Sequence, residues 1–207
     1  MDKKKFKVVS FYTVETGYEK EIKKLKTSIE KFGYEYYIEG IKNQGSWDAN
    51  TKYKSQLLLN SMDKNSDTEL FMYVDADGII QREIPLEDIT GDISVHYKIR
   101  GRNGKWHKKK PTMLSGTIFY KNNNIVKKLF QIWDKQNRRT VVKVKGAYVP
   151  HICDQRNLQN TIKNNKSPEL KIQKLGPEYC KIFDIMAFCK DPIIEHFQAS
   201  RVLKDKV

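Results

Sequence analysis

Three short apolar runs alternate with two stretches of helical period over residues 6–74, and this alternation constrains the fold more than any other feature. Residues 6–13 (FKVVSFYT), 34–41 (YEYYIEGI) and 70–74 (LFMYV) have strand length and strand composition. Between them, Ile22, Leu25, Ile29 and Phe32 recur at helical spacing over 18–32, with Gly33 as the stop. Tyr53, Leu57 and Leu58 give 50–63 an inward helical face. This order predicts an α/β fold: a Rossmann-like sandwich whose mostly parallel central sheet is flanked by helices. Ligands of such sheets sit at the carboxyl ends of the strands.

Further strands are expected at 92–97, 114–120, 169–175 and 192–197. An amphipathic helix is expected over 125–133, capped by Asn122 or Asn123, and another begins at Asp154. No repeat or linker interrupts the pattern, so one domain over 1–207 is expected, long enough to bury a sizeable core. No stretch approaches the roughly 18 uncharged apolar residues of a membrane span, and the first residues lack an apolar run of signal-peptide length. A cytoplasmic location is the expectation. Cys153, Cys180 and Cys189 are an odd number with no C-x-x-C pair, which fits a reducing compartment better than a disulfide framework.

The run at 70–74 ends in Asp75-Ala76-Asp77-Gly78. Alternate side chains of a strand share one face about 7 Å apart. A turn just beyond brings both carboxylates to one cation. Hard oxygen ligands suit Mg²⁺ or Mn²⁺, either of which can hold a diphosphate. The tripeptide alone carries little weight, because 13 aspartates in 207 residues give about 0.8 such pairs by chance. Its place after a buried strand is what counts, against the alternative of a solvated turn with two capping aspartates.

Four other sites carry candidate chemistry. His196, in IEHFQASR, can reach the same cation through a ring nitrogen, with Arg201 and Lys204 on the diphosphate; the alternative is a structural histidine. Asp154-Gln155 is either a helix cap or a carboxylate and amide facing a sugar. Ser115-Gly116-Thr117 lies within a strand, where glycine permits close approach of a ligand or merely packs. Gly45-Ser46-Trp47 precedes a helix with Lys52 and Lys54, which reads as a nucleotide-pocket wall with a lysine near phosphate, or as a loop and a solvated helix face.

The net charge is +14, which invites a polyanionic partner. Most of the basic residues are lysines, a bias that AT-rich coding sequence also produces. Residues 100–110 (RGRNGKWHKKK) concentrate Arg100, Arg102, Lys105, Lys108, Lys109 and Lys110 around Trp106. Cations and an aromatic ring together are the chemistry of a nucleic-acid groove; the alternative is a solvated loop.

GSW…N…YK (45–54), VDAD (74–77), LSGTI (114–118), DQRNLQ (154–159), PEYC.IFD (177–184) and IEHFQASR (194–201), in this order, resemble the phage- and bacteria-encoded nucleotide-diphospho-sugar transferases of the GT-A glycosyltransferase fold. The resemblance runs from Phe11 to Arg201. It implies Asp77 as the main metal ligand, Asp75 on the ribose and the metal, and His196 completing the metal sphere as in glycogenin-like transferases. It also implies Phe11, Tyr12 and Thr13 beside the base, Lys54 near phosphate or ribose, and Asp154 and Gln155 facing the transferred sugar. Trp47, Ser115 and Gly116 would line the donor pocket, with Arg201 and Lys204 on the leaving diphosphate.

The expectation is a manganese- or magnesium-dependent transferase that moves a sugar from a UDP-sugar to an acceptor hydroxyl. That acceptor would be a 5-hydroxymethylpyrimidine in phage DNA, or else a glycan or protein. Asp154 is the candidate base if the reaction inverts, while a late metal-binding histidine and the Asp-Gln pair lean toward retention. Two rivals come from other classes: a non-catalytic nucleic-acid-binding domain, and a nucleotidyltransferase, for whose phosphate loop FYTVETGYEK is a poor match.

Overall fold

The computed structural model describes residues 5–98, 111–139, 141–144, 147–150, 153–165 and 167–203. The basic segment 100–110 and Lys204 lie outside the described residues. The element order is β1 (Phe6–Thr13), α1 (Tyr18–Lys31), β2 (Glu35–Ile41), α2 (Trp47–Lys64), β3 (Leu70–Val74), β4 (Gly78–Ile80), β5 (Ile93–Lys98), β6 (Thr112–Lys121), α3 (Asn124–Arg139), β7 (Val141–Val144), β8 (Ala147–Pro150), α4 (Asp154–Asn164), β9 (Ile172–Leu175), β10 (Lys181–Ile182), β11 (Ile194–His196) and α5 (Ser200–Leu203).

The central sheet has the order β2-β1-β3-β6-β5-β9. Only β6 runs against the other five strands, so the sheet is mostly parallel. Strand alternation assigns its two faces. Phe6, Val8, Leu70, Met72 and Val74 meet Ile22, Leu25 and Ile29 of α1 on one side. Val9, Phe11, Phe71 and Tyr73 meet Leu57, Leu58, Val126, Phe130, Trp133 and Leu158 from α2, α3 and α4 on the other. Each such fully buried Leu, Ile or Phe contributes about 1.5–3 kcal/mol of transfer free energy. A small sheet, β10-β11-β4, adds Ile80 and Ile194 to the α1 side.

Local signals explain the boundaries. α1 stops as expected at Gly33, whose φ of +68° suits glycine, while Tyr34 N–H donates to Ile29 O and Gly33 N–H to Glu30 O. α2 begins three residues before the apolar pattern does, because Ser46 Oγ accepts the Ala49 N–H and caps the helix. Of the two asparagines before α3, Asn123 is the cap: its Oδ1 accepts Val126 N–H. Cys153, not Asp154, is the residue flanking α4, which leaves the Asp154 carboxyl free for other partners. Among the described residues no helix is long and apolar enough to cross a membrane.

Candidate active site

The parity of β3 aims the first acidic residue. Phe71 and Tyr73 face α2, and Asp75 continues that set toward Lys54 on the same helix. Lys54 Nζ lies 3.1 Å from Asp75 Oδ1 and 4.8 Å from the Tyr73 ring centroid. Tyr73 OH donates to the same carboxylate oxygen at 2.7 Å. The chain then turns, with Gly78 N–H donating to Asp75 O, and enters β4. β4 pairs antiparallel with β11 in a register that sets His196 opposite Gly78. This one register brings a residue near the end of the chain against the acidic pair. One ligand atom each from Asp75, Asp77 and His196 lie within 4.8 Å of one another.

A bulge in β6 supplies the rest. Val95 pairs with Ile118 but His96 pairs with Leu114, so Ser115, Gly116 and Thr117 bow out of register. Within this bow, Gly116 O accepts Asp75 N–H, Ser115 Oγ donates to Asp154 Oδ2, and Thr117 Oγ1 lies 2.9 Å from His196 Nε2. A Cβ on Gly116 would come within 3.2 Å of Asp75 Oδ2 and 3.3 Å of His196 Nε2. The space over this glycine is therefore bounded by two of the three ligand groups. At Gly78 a Cβ would lie only 2.4 Å from Val74 Cγ1 and 3.2 Å from His196 Cε1.

Each acidic residue is anchored through one oxygen. Asp75 gives Oδ1 to Lys54 and Tyr73, and its Oδ2 borders the space at Gly116. Asp77 gives Oδ2 to the Ala199 N–H at 2.8 Å, and its Oδ1 lies 3.5 Å from His196 Nδ1. Fixed carboxylates that each present one oxygen, with one imidazole, fit Mg²⁺ or Mn²⁺.

Burial pushes the Asp77 carboxyl up, but His196, the Ala199 N–H and Lys54 outweigh it and hold the pKa below its ordinary value. Burial opposes charge on His196, and Cys180 and Asp77 overcome it, raising that pKa. Burial also opposes charge on Lys54, which is 3% exposed. Asp154 Oδ2 at 3.0 Å and Asp75 hold it charged regardless, and Ser115 O and Oγ accept from it at 3.1 and 3.2 Å.

The cleft above this group has a volume of about 280 Å³. Phe11, Tyr12, Thr13, Trp47, Lys54, Asp75, Asp77, Ser115, Asp154 and Gln155 all line it, so these sequence candidates come together. Gly116 and His196 adjoin it beneath Asp75. Arg201 does not line it: its guanidinium binds Asp184 in two contacts and lies over the Phe183 ring. Lys52, the other lysine of the sequence reading on α2, has its pKa lowered by burial, which Asp48 and Asp154 counter.

Sequence reasoning missed Tyr18, Asn50, Thr51, Tyr73, Gln198 and Ser200, which also line the cleft. Tyr73 was legible from the parity of LFMYV. Gln198 and Ser200 sit inside the IEHFQASR segment. Tyr18 carries no signal beyond its place at the start of a helix.

No protein-family model matches this sequence, and no curated protein matches it. Among solved structures, the chain is similar to a glycosyltransferase involved in the glycosylation of the major capsid of PBCV-1. The TM-score is 0.67, 95% of each chain is covered, and 16% of residues are identical. At that identity the likeness is one of fold: the mixed α/β architecture and its mostly parallel sheet are shared with a glycosyltransferase.

Proposed function

We propose that this chain is a metal-dependent GT-A glycosyltransferase that moves a sugar from a nucleotide-diphosphate donor, a UDP-sugar, to an acceptor hydroxyl. The observation that carries the reading is the convergence of Asp75 and Asp77, which line a cleft at the carboxyl ends of β1 and β3, with His196 just beneath it. Mn²⁺ or Mg²⁺ held by these three side chains would offset the charge of the departing diphosphate. Phe11, Tyr12 and Thr13 border the nucleoside, and Trp47 lines the same cleft. Asp154, Gln155 and Ser115 shape the sugar end. Asp154 is tied to Lys54 and Ser115, so in this reading it accepts a hydrogen bond from the sugar at a fixed position. To serve as a mobile base it would first have to leave the ammonium.

Two acceptors follow from two observations. The net charge of +14 favours a polyanionic acceptor such as DNA, in which the resemblance to phage-encoded transferases points to 5-hydroxymethylpyrimidines. The structural neighbour, which takes part in capsid glycosylation, supports a protein or glycan. The test of the donor reading is hydrolysis of UDP- and GDP-sugars with and without Mn²⁺. Manganese-dependent release of the nucleoside diphosphate is expected, and Asp77→Ala should lower it at least 100-fold with the fold intact. Absence of hydrolysis with every donor overturns the reading. An Asp77→Ala variant that keeps more than about a tenth of the activity removes the metal assignment.

A further inference from the structure

Tyr18 opens α1; it packs against the core on that side of the sheet and also lines the cleft. The hydroxyl is buried, and no hydrogen-bond partner reaches it among the described residues. Its polar neighbour is Trp47, whose indole N–H can donate but not accept. The phenol proton is thus left without an acceptor. A buried donor in that condition is costly unless an occupant of the cleft completes it. Burial pushes the Tyr18 pKa up to about 12, Trp47 counters this, and Asp77, Asp75 and Glu21 add to it. The group is therefore an O–H donor at every working pH.

The occupant has to accept a hydrogen bond beside the carboxylates of Asp75 and Asp77. A phosphate oxygen can do so once a cation at those carboxylates balances its charge, as in the proposed donor. We propose that Tyr18 is a donor-binding residue whose hydroxyl donates a hydrogen bond to a phosphate oxygen of a nucleoside diphosphate held in the cleft. This rests on the nucleotide-diphosphate reading above and adds to it a polar contact on the α1 side of the diphosphate.

Tyr18→Phe removes the oxygen and keeps the ring. The test measures three quantities for wild type and variant: the melting temperature without ligand, the calorimetric affinity for UDP with Mn²⁺, and the affinity for uridine alone. GDP and guanosine serve in parallel. The expected result is a ligand-free melting temperature that is unchanged or higher, because an unsatisfied hydroxyl has gone. Affinity for the nucleoside diphosphate should fall about tenfold or more, with affinity for the nucleoside unchanged. Equal diphosphate affinity in both proteins overturns the proposal, and so does an equal loss for nucleoside and diphosphate, which would assign the hydroxyl to the base or ribose. If the wild type binds neither UDP nor GDP with Mn²⁺, the nucleotide-diphosphate reading itself falls and takes this contact with it.

Discussion

Lys54→Met isolates the electrostatic frame of the site from its chemistry. Methionine fills nearly the volume of the lysine stem, so the change chiefly removes a charge. The Lys54 side chain is 4% exposed, and its partners Asp154 and Asp75 are 6% and 40% exposed. At 3.0 Å and an effective dielectric of about 20, the gross attraction to Asp154 is about 5 kcal/mol. The expected loss reflects instead a buried carboxylate left, among the described residues, with the Ser115 hydroxyl, for which about 3–5 kcal/mol is usual. The more exposed Asp75 contact adds at most about 1 kcal/mol, because solvent screens it.

Urea denaturation should therefore show a loss of about 3–5 kcal/mol, and the melting temperature should fall by roughly 6–20 °C for a chain of this size. Adding Asp154→Asn to Lys54→Met removes the orphaned charge and should restore most of the loss, a coupling that a double-mutant cycle reads directly. The pH dependence has a definite sign. The folded-state pKa of Lys54 lies above its ordinary value, so its contribution is complete below about pH 10 and fades only as pH rises past the folded value. The gap between wild type and variant should be flat from roughly pH 6 to 9. A loss below about 1 kcal/mol would mean that Lys54 holds no buried charge pair, and the frame argued here would be wrong.

Gly116→Ala places a methyl group between Asp75 Oδ2 and His196 Nε2; the fold should survive at a cost of about 1–3 kcal/mol, while Mn²⁺ titration should show binding largely abolished, and unchanged Mn²⁺ affinity would put the cation elsewhere. Neutralising Lys105, Lys108, Lys109 and Lys110 together should weaken binding to hydroxymethylated DNA and flatten its salt slope by up to about one unit per lost phosphate contact, with donor hydrolysis nearly intact. Unaltered DNA glycosylation in that variant would remove the segment from acceptor binding.

The fold was legible because its signal is periodic. Each strand and helix of the first 74 residues appears where alternation or helical spacing predicted it, and errors fell at caps such as Ser46, where one hydroxyl extends a helix beyond its apolar stripe. The acidic pair was legible from its place after LFMYV. The bow at Ser115–Thr117 was not, since LSGTIFY reads as a continuous strand, and only its pairing with β5 reveals three residues out of register. The role of Lys54 was hidden for a related reason. A lysine on a helix reads as solvated or phosphate-facing, and its burial between two carboxylates depends on α2 lying over the odd face of β3 and beside the start of α4. Arg201 shows the opposite failure: its spacing from His196 suggested the cleft, yet Asp184 and Phe183 hold it outside.

The charges of the cleft explain why a buried lysine and a candidate cation site coexist. Asp75, Asp77 and Asp154 contribute three negative charges and Lys54 returns one positive charge; with His196 neutral, as a metal ligand has to be, two would be left for a divalent ion to cancel. Without Lys54 the three carboxylates would repel one another in a partly desolvated site. With a second ammonium the divalent ion would be opposed. Lys54 also divides the labour among the acids: it ties up Asp154 and one oxygen of Asp75, and so leaves the other oxygen of Asp75, with Asp77 and His196, as the groups that could hold a cation. The lysine that the sequence assigned to phosphate thus has a prior task, in which it sets the charge and the aim of the carboxylates that would hold an ion in the proposed transferase.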